Sequence, residues 1–487
     1  MLFNSFEFLI FFPLVTLVYF LLPFKFRWFH LLIASCYFYM AFVPVYILIL
    51  FATIIIDYIA GIYIEKTEGP TRKWLLVASL VSNIGILAVF KYYNFFIENI
   101  NLLLGSGNKL SYLGMILPIG LSFHTFQAMS YTIEVYRGNQ RAERHFGIYA
   151  LYVMFYPQLV AGPIERPQNV LHQFHEKHTF DSEEVAHGLR QMLWGFFKKI
   201  VIADRLAVVV NNIYSDPHGH SGAALVLASV FFSFQIYCDF SGYSDIALGS
   251  ARVMGFRLMT NFNLPFSSKS VTEFWRRWHI SLSTWFNDYL FNPIVLGLRN
   301  WGTMSVVLGL LITFFISGFW HGAGWKYIIY GVLNGLALVY EYFTRKQRKK
   351  LFKKLPQPLN DGISKVLTVG FITFSWIFFR AANVNDALYI VGHLGHGWGQ
   401  ILSPHGLKLL MLEAGKNDTV VGAANVVMGL ALIIFMELVQ RHTRNRPIPE
   451  ALAARPLYQR WGVYCCLILA ILLIGAYDNQ EFIYFQF

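Results

Sequence analysis

Charged residues are scarce in this chain of 487 residues. Aspartate, glutamate, lysine and arginine make up 14% of it, and hydrophobic residues make up 56%. An ordinary soluble domain carries about 25% charged residues. The mean hydropathy is +0.48, and the deficit of charge recurs along the whole length. This composition excludes a soluble multidomain enzyme and predicts a polytopic membrane protein.

Cysteine is scarce as well. The four cysteines have no metal-ligand spacing, and two of them are adjacent: Cys36, Cys238, Cys465 and Cys466. Adjacent cysteines rarely form a framework disulfide, so we interpret all four as small apolar packing residues. The start of the chain lacks a basic region and a small-residue cleavage site. We therefore interpret the first apolar run as a retained span rather than a signal peptide.

The net charge of +12 does not indicate a nucleic-acid partner. The basic residues cluster in short loops between apolar runs, which is typical of the cytoplasmic loops of membrane proteins. No zinc-knuckle or RNA-binding signature accompanies them. We expect the chain to lie in the bilayer and to bind no nucleic acid.

A bilayer span needs roughly 20 predominantly apolar residues. Eleven segments are candidates: 7–23, 28–42, 45–62, 74–95, 113–135, 223–248, 303–319, 325–343, 363–380, 421–440 and 462–476. Segments 147–163 and 189–211 are ambiguous, because prolines interrupt the first and charges interrupt the second. No linker rich in glycine, serine or proline divides the chain. The sequence therefore predicts one all-α domain over 1–487, with roughly 11–12 transmembrane or re-entrant helices.

Loop charge predicts the orientation. Basic runs such as 345–350 and 441–460 mark inside loops, whereas 212–222, 383–415 and the tail 477–487 carry almost no positive charge. Both termini are therefore predicted to face the extracytoplasmic side of a bacterial inner membrane, which requires an even number of spans.

Residues 165–200 form a polar insertion that we expect to be cytoplasmic. The run Asp181–Glu184 is a plausible helix start, because acidic residues are favoured in the first turn. His172, His175 and His178 repeat at three-residue spacing. We favour a solvated loop over a metal site here, since no acidic or cysteine partner is well placed.

The region 233–325 holds an unusual number of polar residues at predicted membrane depth. Asp239 and Tyr243 lie in the run Asp-Phe-Ser-Gly-Tyr-Ser-Asp, residues 239–245. An aspartate in a span is costly unless it is paired or lines a wet cavity. Two interpretations remain open: a polar contact between helices, or a lining for substrate.

An amphipathic helix is predicted over 271–289, because its charged residues cannot all face lipid. Arg276 and Arg277 are candidates for binding an anionic substrate, and Asp288 is a candidate substrate contact at the other end. His279 lies at the end of this group of basic residues. Taken alone, it is more often a structural histidine than a catalytic one.

His321 follows an apolar span and lies among glycines, next to Trp320, in Gly-Phe-Trp-His-Gly at 318–322. Glycines let a ligand approach the backbone closely. Non-helical backbone at membrane depth must be buried in protein or line a cavity. A neutral imidazole suits a general base for a hydroxyl group, so His321 is the candidate catalytic residue.

Several motifs together resemble the membrane-bound O-acyltransferase family, in its bacterial branch that acetylates alginate and peptidoglycan. Trp-Arg-Arg-Trp-His at 275–279 and Gly-Phe-Trp-His-Gly at 318–322 carry most of the resemblance. The similarity extends over nearly the full length through further motifs: Thr125–Gln127, Pro157–Pro163, Asp239–Asp245, Leu264–Phe266 and Phe482–Phe487.

The resemblance implies a bundle of about eleven helices around a central tunnel, with His321 catalytic and His279 assisting. The implied reaction moves an acetyl group from cytoplasmic acetyl-CoA to an extracytoplasmic polysaccharide. No bound cofactor or metal is expected, and the expected partner is an extracytoplasmic SGNH-type transferase or esterase. Two alternatives stay open: a lipid O-acyltransferase with longer acyl chains, and a secondary transporter.

Three positions depart from the alginate-acetylating relatives. Asn287 stands where an arginine is usual, the run Asn292–Arg299 replaces a Leu-Gly-Gly turn, and His124 replaces a tyrosine. These departures leave the implied chemistry intact but leave the acceptor polymer open.

The tail, Glu481–Phe487, is nearly all apolar. One interpretation is a tail that lies on the membrane surface, where aromatic residues are enriched. The other begins with the phenol of Tyr484, which is a better leaving group than an alkyl alcohol. The ending also resembles a small partner protein of bacterial D-alanyl export, which implies that Tyr484 carries the acyl group covalently.

Overall fold

The computed structural model describes residues 1–105, 109–114, 117–352, 354–398, 403–443, 446–477 and 482–483. Every regular element in these ranges is helical, which confirms the predicted all-α fold. Seven helices in the described ranges are long and apolar enough to cross a membrane: Pro44–Lys66, Gly69–Leu104, Gly222–Val253, Thr303–His321, Gln357–Arg380, Thr419–His442 and Leu457–Ile474.

All seven coincide with predicted spans, so the chain is a multi-pass membrane protein. The other four predicted spans correspond to the helices Phe6–Leu21, Phe24–Met40, Leu121–Arg137 and Trp325–Phe352, which do not meet both the length and the apolarity of a span. The total number of spans and the central tunnel stay predictions.

The fold divides into two compact units. The first comprises Met1–Leu193 and Tyr243–Thr260, and the second comprises Trp194–Gly242 and Asn261–Phe487. Helix Gly222–Val253 therefore begins in the second unit and ends in the first.

Ten further α-helices in the described part of the chain begin in the first unit. They are Phe6–Leu21, Phe24–Met40, Ile47–Lys66, Gly69–Leu87, Tyr93–Leu104, Leu121–Arg137, Phe146–Met154, Tyr156–Leu159, Pro167–Val170 and Ser182–Phe196. Helices Ile47–Lys66, Gly69–Leu87 and Leu121–Arg137 pack together. The contact is close at Gly61, where a Cβ atom would lie 2.6 Å from the Tyr131 ring.

Two ambiguous segments resolve into broken helices. Segment 147–163 contains the helices Phe146–Met154 and Tyr156–Leu159, which are separated at Phe155. Segment 189–211 is helical throughout, but its middle is a π-helical turn at Phe197–Ala203. A π-helical turn within an α-helix often marks a functional position.

The predicted insertion is partly buried. Its helix starts at Ser182, and Asp181 Oδ1 accepts the amide of Glu183 at 2.8 Å, as the acidic run predicted. The histidines before it have separate partners: His175 bonds to Glu143, and His178 bonds to the carbonyl of Gln173. The predicted insertion ends inside the buried π-helical turn of the second unit, where Lys199 is 1% exposed.

The second unit contains the two motif histidines. Its α-helices, besides the part of Gly222–Val253, are Asp204–Ser215, Val271–Arg277, Ile280–Phe286, Asn292–Gly297, Thr303–His321, Trp325–Phe352, Gln357–Arg380, Val384–His393, Pro404–Ala414, Thr419–His442, Ile448–Ala453 and Leu457–Ile474.

Two helices of this unit form a tight hairpin that positions His321. Thr303–His321 and Trp325–Phe352 approach through Gly318 and Gly331, where a Cβ atom on Gly318 would lie 2.9 Å from the Gly331 Cα. Any larger residue at Gly318 would separate the helices. The hairpin therefore fixes His321 at the junction between them.

Candidate active site

His279 lies at a break that the sequence did not predict. Residues 271–289 were expected to form one helix, and this prediction was wrong. The structure has two short helices, Val271–Arg277 and Ile280–Phe286, followed by a π-helical turn at Asn287–Phe291. His279 joins the two helices in the left-handed conformation, with φ 45° and ψ 56°.

Asn261 is the physical reason for the break. Its carbonyl accepts the amide of Ile280 at 2.9 Å, and its Oδ1 accepts the amide and the hydroxyl of Ser281 at 3.2 and 3.0 Å. These bonds cap the start of the second helix, where amide groups have no partner within the helix. A left-handed residue other than glycine costs of order 1–3 kcal/mol and occurs often at functional sites.

The first of the two helices is also anchored from outside. The Glu341 carboxylate accepts the amides of Val271 and Thr272 at 2.9 and 3.0 Å. An acidic group at a helix N-terminus is stabilising because it meets the positive end of the helix dipole. The indole of Trp275 donates to Asn334 Oδ1 at 3.2 Å. The segment that carries His279 is thus bound to the Trp325–Phe352 helix.

The imidazoles of His279 and His321 both lie near the ring of Trp320. The centre of the Trp320 ring lies 4.9 Å from that of His321 and 6.3 Å from that of His279. On the other side of His279, the ring of Phe240 lies 4.6 Å away, and Phe379 lies 5.3 Å from His321. The structure therefore brings the two motif histidines together inside an aromatic shell.

Both histidines are shielded from solvent, with exposures of 0% for His279 and 5% for His321. The two short helices around His279 are outside the seven candidate spans. Burial lowers the pKa of His279 well below its ordinary value, and the neighbouring His321 adds to this effect. His279 is therefore a neutral imidazole at neutral pH, and its N–H group can donate to a carbonyl oxygen.

A cavity of about 920 Å³ is lined by chain neighbours of the two histidines and not by the histidines themselves. It reaches Ser317, which precedes His321 by one helical turn, and Trp275 from the other motif. Its lining also includes Arg276 and three basic residues from the end of the Trp325–Phe352 helix, Arg345, Arg348 and Lys349, together with the carboxylates of Glu273 and Glu341. Basic side chains therefore share one cavity with Ile280 and Ser317, which lie close to the two histidines along the chain.

The two arginines of the motif have different partners. Arg276 is exposed to the cavity, whereas Arg277 forms an ion pair with Glu273 at 2.8 Å and donates to the carbonyl of Asn263. Asp288 lies in the π-helical turn, where its Oδ1 accepts from Asn287 at 3.1 Å. Asn287, and not Asp288, is among the cavity residues.

Asp239 and Tyr243 are not among the cavity residues. Asp239 forms a buried ion pair with Lys199. Tyr243 belongs to the first unit, where its ring lies 4.6 Å from that of Phe3. Tyr484 lies outside the described residues.

Residues 145–382, which include both histidines, match the model of the membrane-bound O-acyltransferase family. The probable alginate O-acetylase AlgI of Pseudomonas putida is 34% identical to the chain over 508 residues, and the alignment covers 100% of both proteins. The chain belongs to the membrane-bound O-acyltransferase family. This confirms the resemblance that the motifs carried, and with it the class of acyltransferases.

Other members of the membrane-bound O-acyltransferase family are similar over different lengths. The peptidoglycan O-acetyltransferase of Helicobacter pylori is 35% identical, over 94% of this chain and 91% of its own. The teichoic acid D-alanyltransferase of Bacillus subtilis is 30% identical, over 54% of this chain and 68% of its own. The polysaccharide acetyltransferases are therefore similar to nearly the whole chain.

Sequence reasoning missed the residues that support the site. Asn261, Asn334 and Glu341 are polar residues in or beside apolar segments, and each is at most 8% exposed. A polar residue in an apolar segment could have indicated such a role, because a buried polar residue normally has a hydrogen-bond partner. The sequence did not identify the partners, which lie far away along the chain.

Proposed function

We propose that this acyltransferase takes acetyl groups from acetyl-CoA on the cytoplasmic side and passes them across the inner membrane for O-acetylation of an extracytoplasmic polysaccharide. The observation that carries the proposal is the cavity whose lining includes basic side chains and also Ile280 and Ser317, which lie close to His279 and His321 along the chain. The names of the alginate- and peptidoglycan-acetylating relatives supply the class of acceptor.

The basic side chains of the cavity suit the phosphates of coenzyme A. Arg276, Arg345 and Lys349 line the cavity together with Arg348, which also pairs with Glu341 at 3.4 Å. Guanidinium groups bind phosphate through charge-assisted hydrogen bonds. Residues 345–350 are the same run that loop charge assigns to the cytoplasm. A donor held there would direct its acyl group toward Ser317 and the imidazoles.

In the proposed reaction, His321 acts as the general base. It takes the proton of the acceptor hydroxyl while the acceptor oxygen attacks the thioester carbonyl carbon. The carbon–sulfur bond then breaks, and the imidazolium returns the proton to the leaving thiolate. His279, a neutral donor, stabilises the negative charge that develops on the carbonyl oxygen.

Tyr484 is the proposed first acceptor. Its phenol oxygen would replace sulfur in the ester and later yield the acetyl group to a serine of an extracytoplasmic SGNH-type partner. The Tyr484→Phe variant keeps the ring and loses the oxygen. It should consume no more acetyl-CoA than water hydrolysis allows and should not acetylate polymer. Normal polymer acetylation by this variant would reduce the tail to an anchor.

The decisive experiment measures coenzyme A release by the purified protein in nanodiscs. Acetyl-CoA is offered beside palmitoyl-CoA, with the wild-type protein and Tyr484→Phe. Faster release from acetyl-CoA supports the proposal. Preference for palmitoyl-CoA indicates a lipid O-acyltransferase, and release from neither thioester contradicts the proposal.

The orientation belongs to the same proposal, since an inside donor and an outside acceptor require it. Both termini would be extracytoplasmic. A cysteine in place of Ser5 or Asn479 should react with an impermeant thiol reagent in intact cells, whereas one in place of Gln347 should not. Labelling of the two termini from opposite sides would overturn the assignment.

A further inference from the structure

A buried ionic cluster lies in the second unit and takes no part in the reaction described above. Lys199 Nζ lies 2.8 Å from Asp204 Oδ1 and 2.6 Å from Asp239 Oδ1. All three residues are at most 4% exposed. One ammonium group thus faces two carboxylates. A buried charge is stabilised when its remaining lone pairs also accept hydrogen bonds, which applies to the second oxygen of Asp239.

The C-terminal tail reaches this second oxygen. Asp239 Oδ2 accepts the backbone amide of Ile483 at 2.9 Å. Lys199 Nζ lies 4.5 Å from the centre of the Phe482 ring, a cation–π distance. Phe482 and Ile483 are 1% and 5% exposed. The two described residues of the tail are therefore seated in the protein interior and are bound by the same cluster.

The chain just before the tail is fixed to the same place. The amide of Ala476 donates to the carbonyl of Ile200 at 3.2 Å, and Arg205 donates to the carbonyl of Ile474 at 2.5 Å. Ile200 follows Lys199 in the π-helical turn Phe197–Ala203. This turn thus supplies both the ammonium group for Phe482 and a carbonyl for Ala476.

The helix that binds the tail also contacts His279. Asp239 and Phe240 are neighbours on one helix. Asp239 binds Ile483, and the Phe240 ring lies 4.6 Å from that of His279. Adjacent residues of one helix therefore contact the tail and His279.

We propose that Lys199, Asp204 and Asp239 form a clasp that holds the C-terminal tail and positions it for transfer. The second half rests on the proposed function of Tyr484. Tyr484 directly follows Ile483 in the sequence, and consecutive Cα atoms are about 3.8 Å apart, so holding Ile483 would restrict the reach of the phenol. The three clasp residues are positioning residues and do not touch the acyl group.

The first test measures seating without using activity. Ile483→Cys is introduced where the exposed Cys465 and Cys466 have been replaced by serine, and its reaction rate with a maleimide is measured. Asp239→Asn and Lys199→Met should each raise this rate about tenfold or more, since each replaces a charged group that contacts the tail with an uncharged one. An unchanged rate in both variants would overturn the clasp.

Asp57→Asn is the matched control. Asp57 is also a fully buried aspartate, but it lies in the first unit, and its carboxylate accepts from Ser79 and Asn83. Its replacement should leave the Ile483→Cys rate unchanged. An equal rise in this control would mean that any buried aspartate loosens the tail, which would also overturn the clasp.

The second test separates the clasp from the proposed function. Ile483→Pro removes the donated amide hydrogen, leaves Tyr484 in place, and alters only the chain end. Polymer acetylation should fall about tenfold or more in this variant. Normal acetylation in this variant, beside an active wild type, would overturn the positioning role. A wild-type protein that uses no thioester would contradict the proposed function, whereas the labelling rates would still decide the clasp.

Discussion

The two motif histidines are held in opposite ways. His321 ends a regular helix, and its position follows from the close approach of Gly318 and Gly331. His279 occupies a left-handed link between two short helices, and Asn261 holds that link by three hydrogen bonds. One histidine is placed by helix packing, and the other is placed by a strained connection with a dedicated support.

The different supports of the two histidines indicate which role each imidazole suits. A left-handed histidine is costly and persists only when its surroundings fix it, as is typical of groups that must be oriented. Such a group suits the fixed donation of a hydrogen bond to the developing oxyanion. His321 directly precedes Gly322 and lies one helical turn after Ser317 of the cavity, which suits a base that must meet an incoming hydroxyl.

The largest expected effect tests the base. His321→Ala should lower kcat for coenzyme A release about 10²–10⁴-fold, the range for the loss of a general acid–base. Thermal unfolding in detergent should confirm that the variant is folded. If the variant retains more than a few per cent of the activity of a wild-type protein of equal stability, His321 is not the base.

A smaller loss is expected at His279. His279→Ala removes one donor to the oxyanion and should lower kcat about 10²-fold, which is typical of such a loss. His279→Asn is the sharper variant, because asparagine tolerates the left-handed conformation and still donates through its amide. It should retain more activity than His279→Ala. Equal losses in the two variants would argue against hydrogen-bond donation.

The two arginines of the same segment extend the comparison. Arg276→Ala should raise the KM for acetyl-CoA about tenfold, since a charge-assisted hydrogen bond to phosphate contributes about 1.5–3 kcal/mol. Arg277→Ala should change KM far less, because its side chain is paired with Glu273. The measurement is the KM of both variants at constant salt. A larger effect at Arg277 would mean that the donor phosphates lie outside the cavity.

The smallest expected effect concerns the support of His279. Asn261→Ala removes the side-chain bonds to Ser281, while its backbone carbonyl remains. Activity should fall less than in His279→Ala. The fall should appear in kcat rather than KM, since orientation and not donor binding is impaired. A change in KM alone would place Asn261 in donor binding instead.

Much of the fold could be predicted from the sequence. Runs of apolar residues located the seven long helices, because in a membrane each span must satisfy its own backbone and face lipid. The start of the Ser182–Phe196 helix was also predicted, since acidic capping is local. The prediction of a single helix over 271–289 was wrong because the break depends on a residue outside that segment. The cap for Ile280 and Ser281 comes from Asn261, and periodicity along the chain carries no information about it.

The membrane class, the family and the two histidines could be recognised without a structure, because composition and short motifs are properties of the linear chain. The partners of the polar residues depend on the folded chain. In the folded protein, Asp239 pairs with Lys199 and accepts a hydrogen bond from Ile483. Arg277 pairs with Glu273, and Arg276 lines the cavity. The physical reason is that a buried polar group is stable only beside a partner. Partners as far apart as residues 239 and 483 become neighbours only when the chain folds.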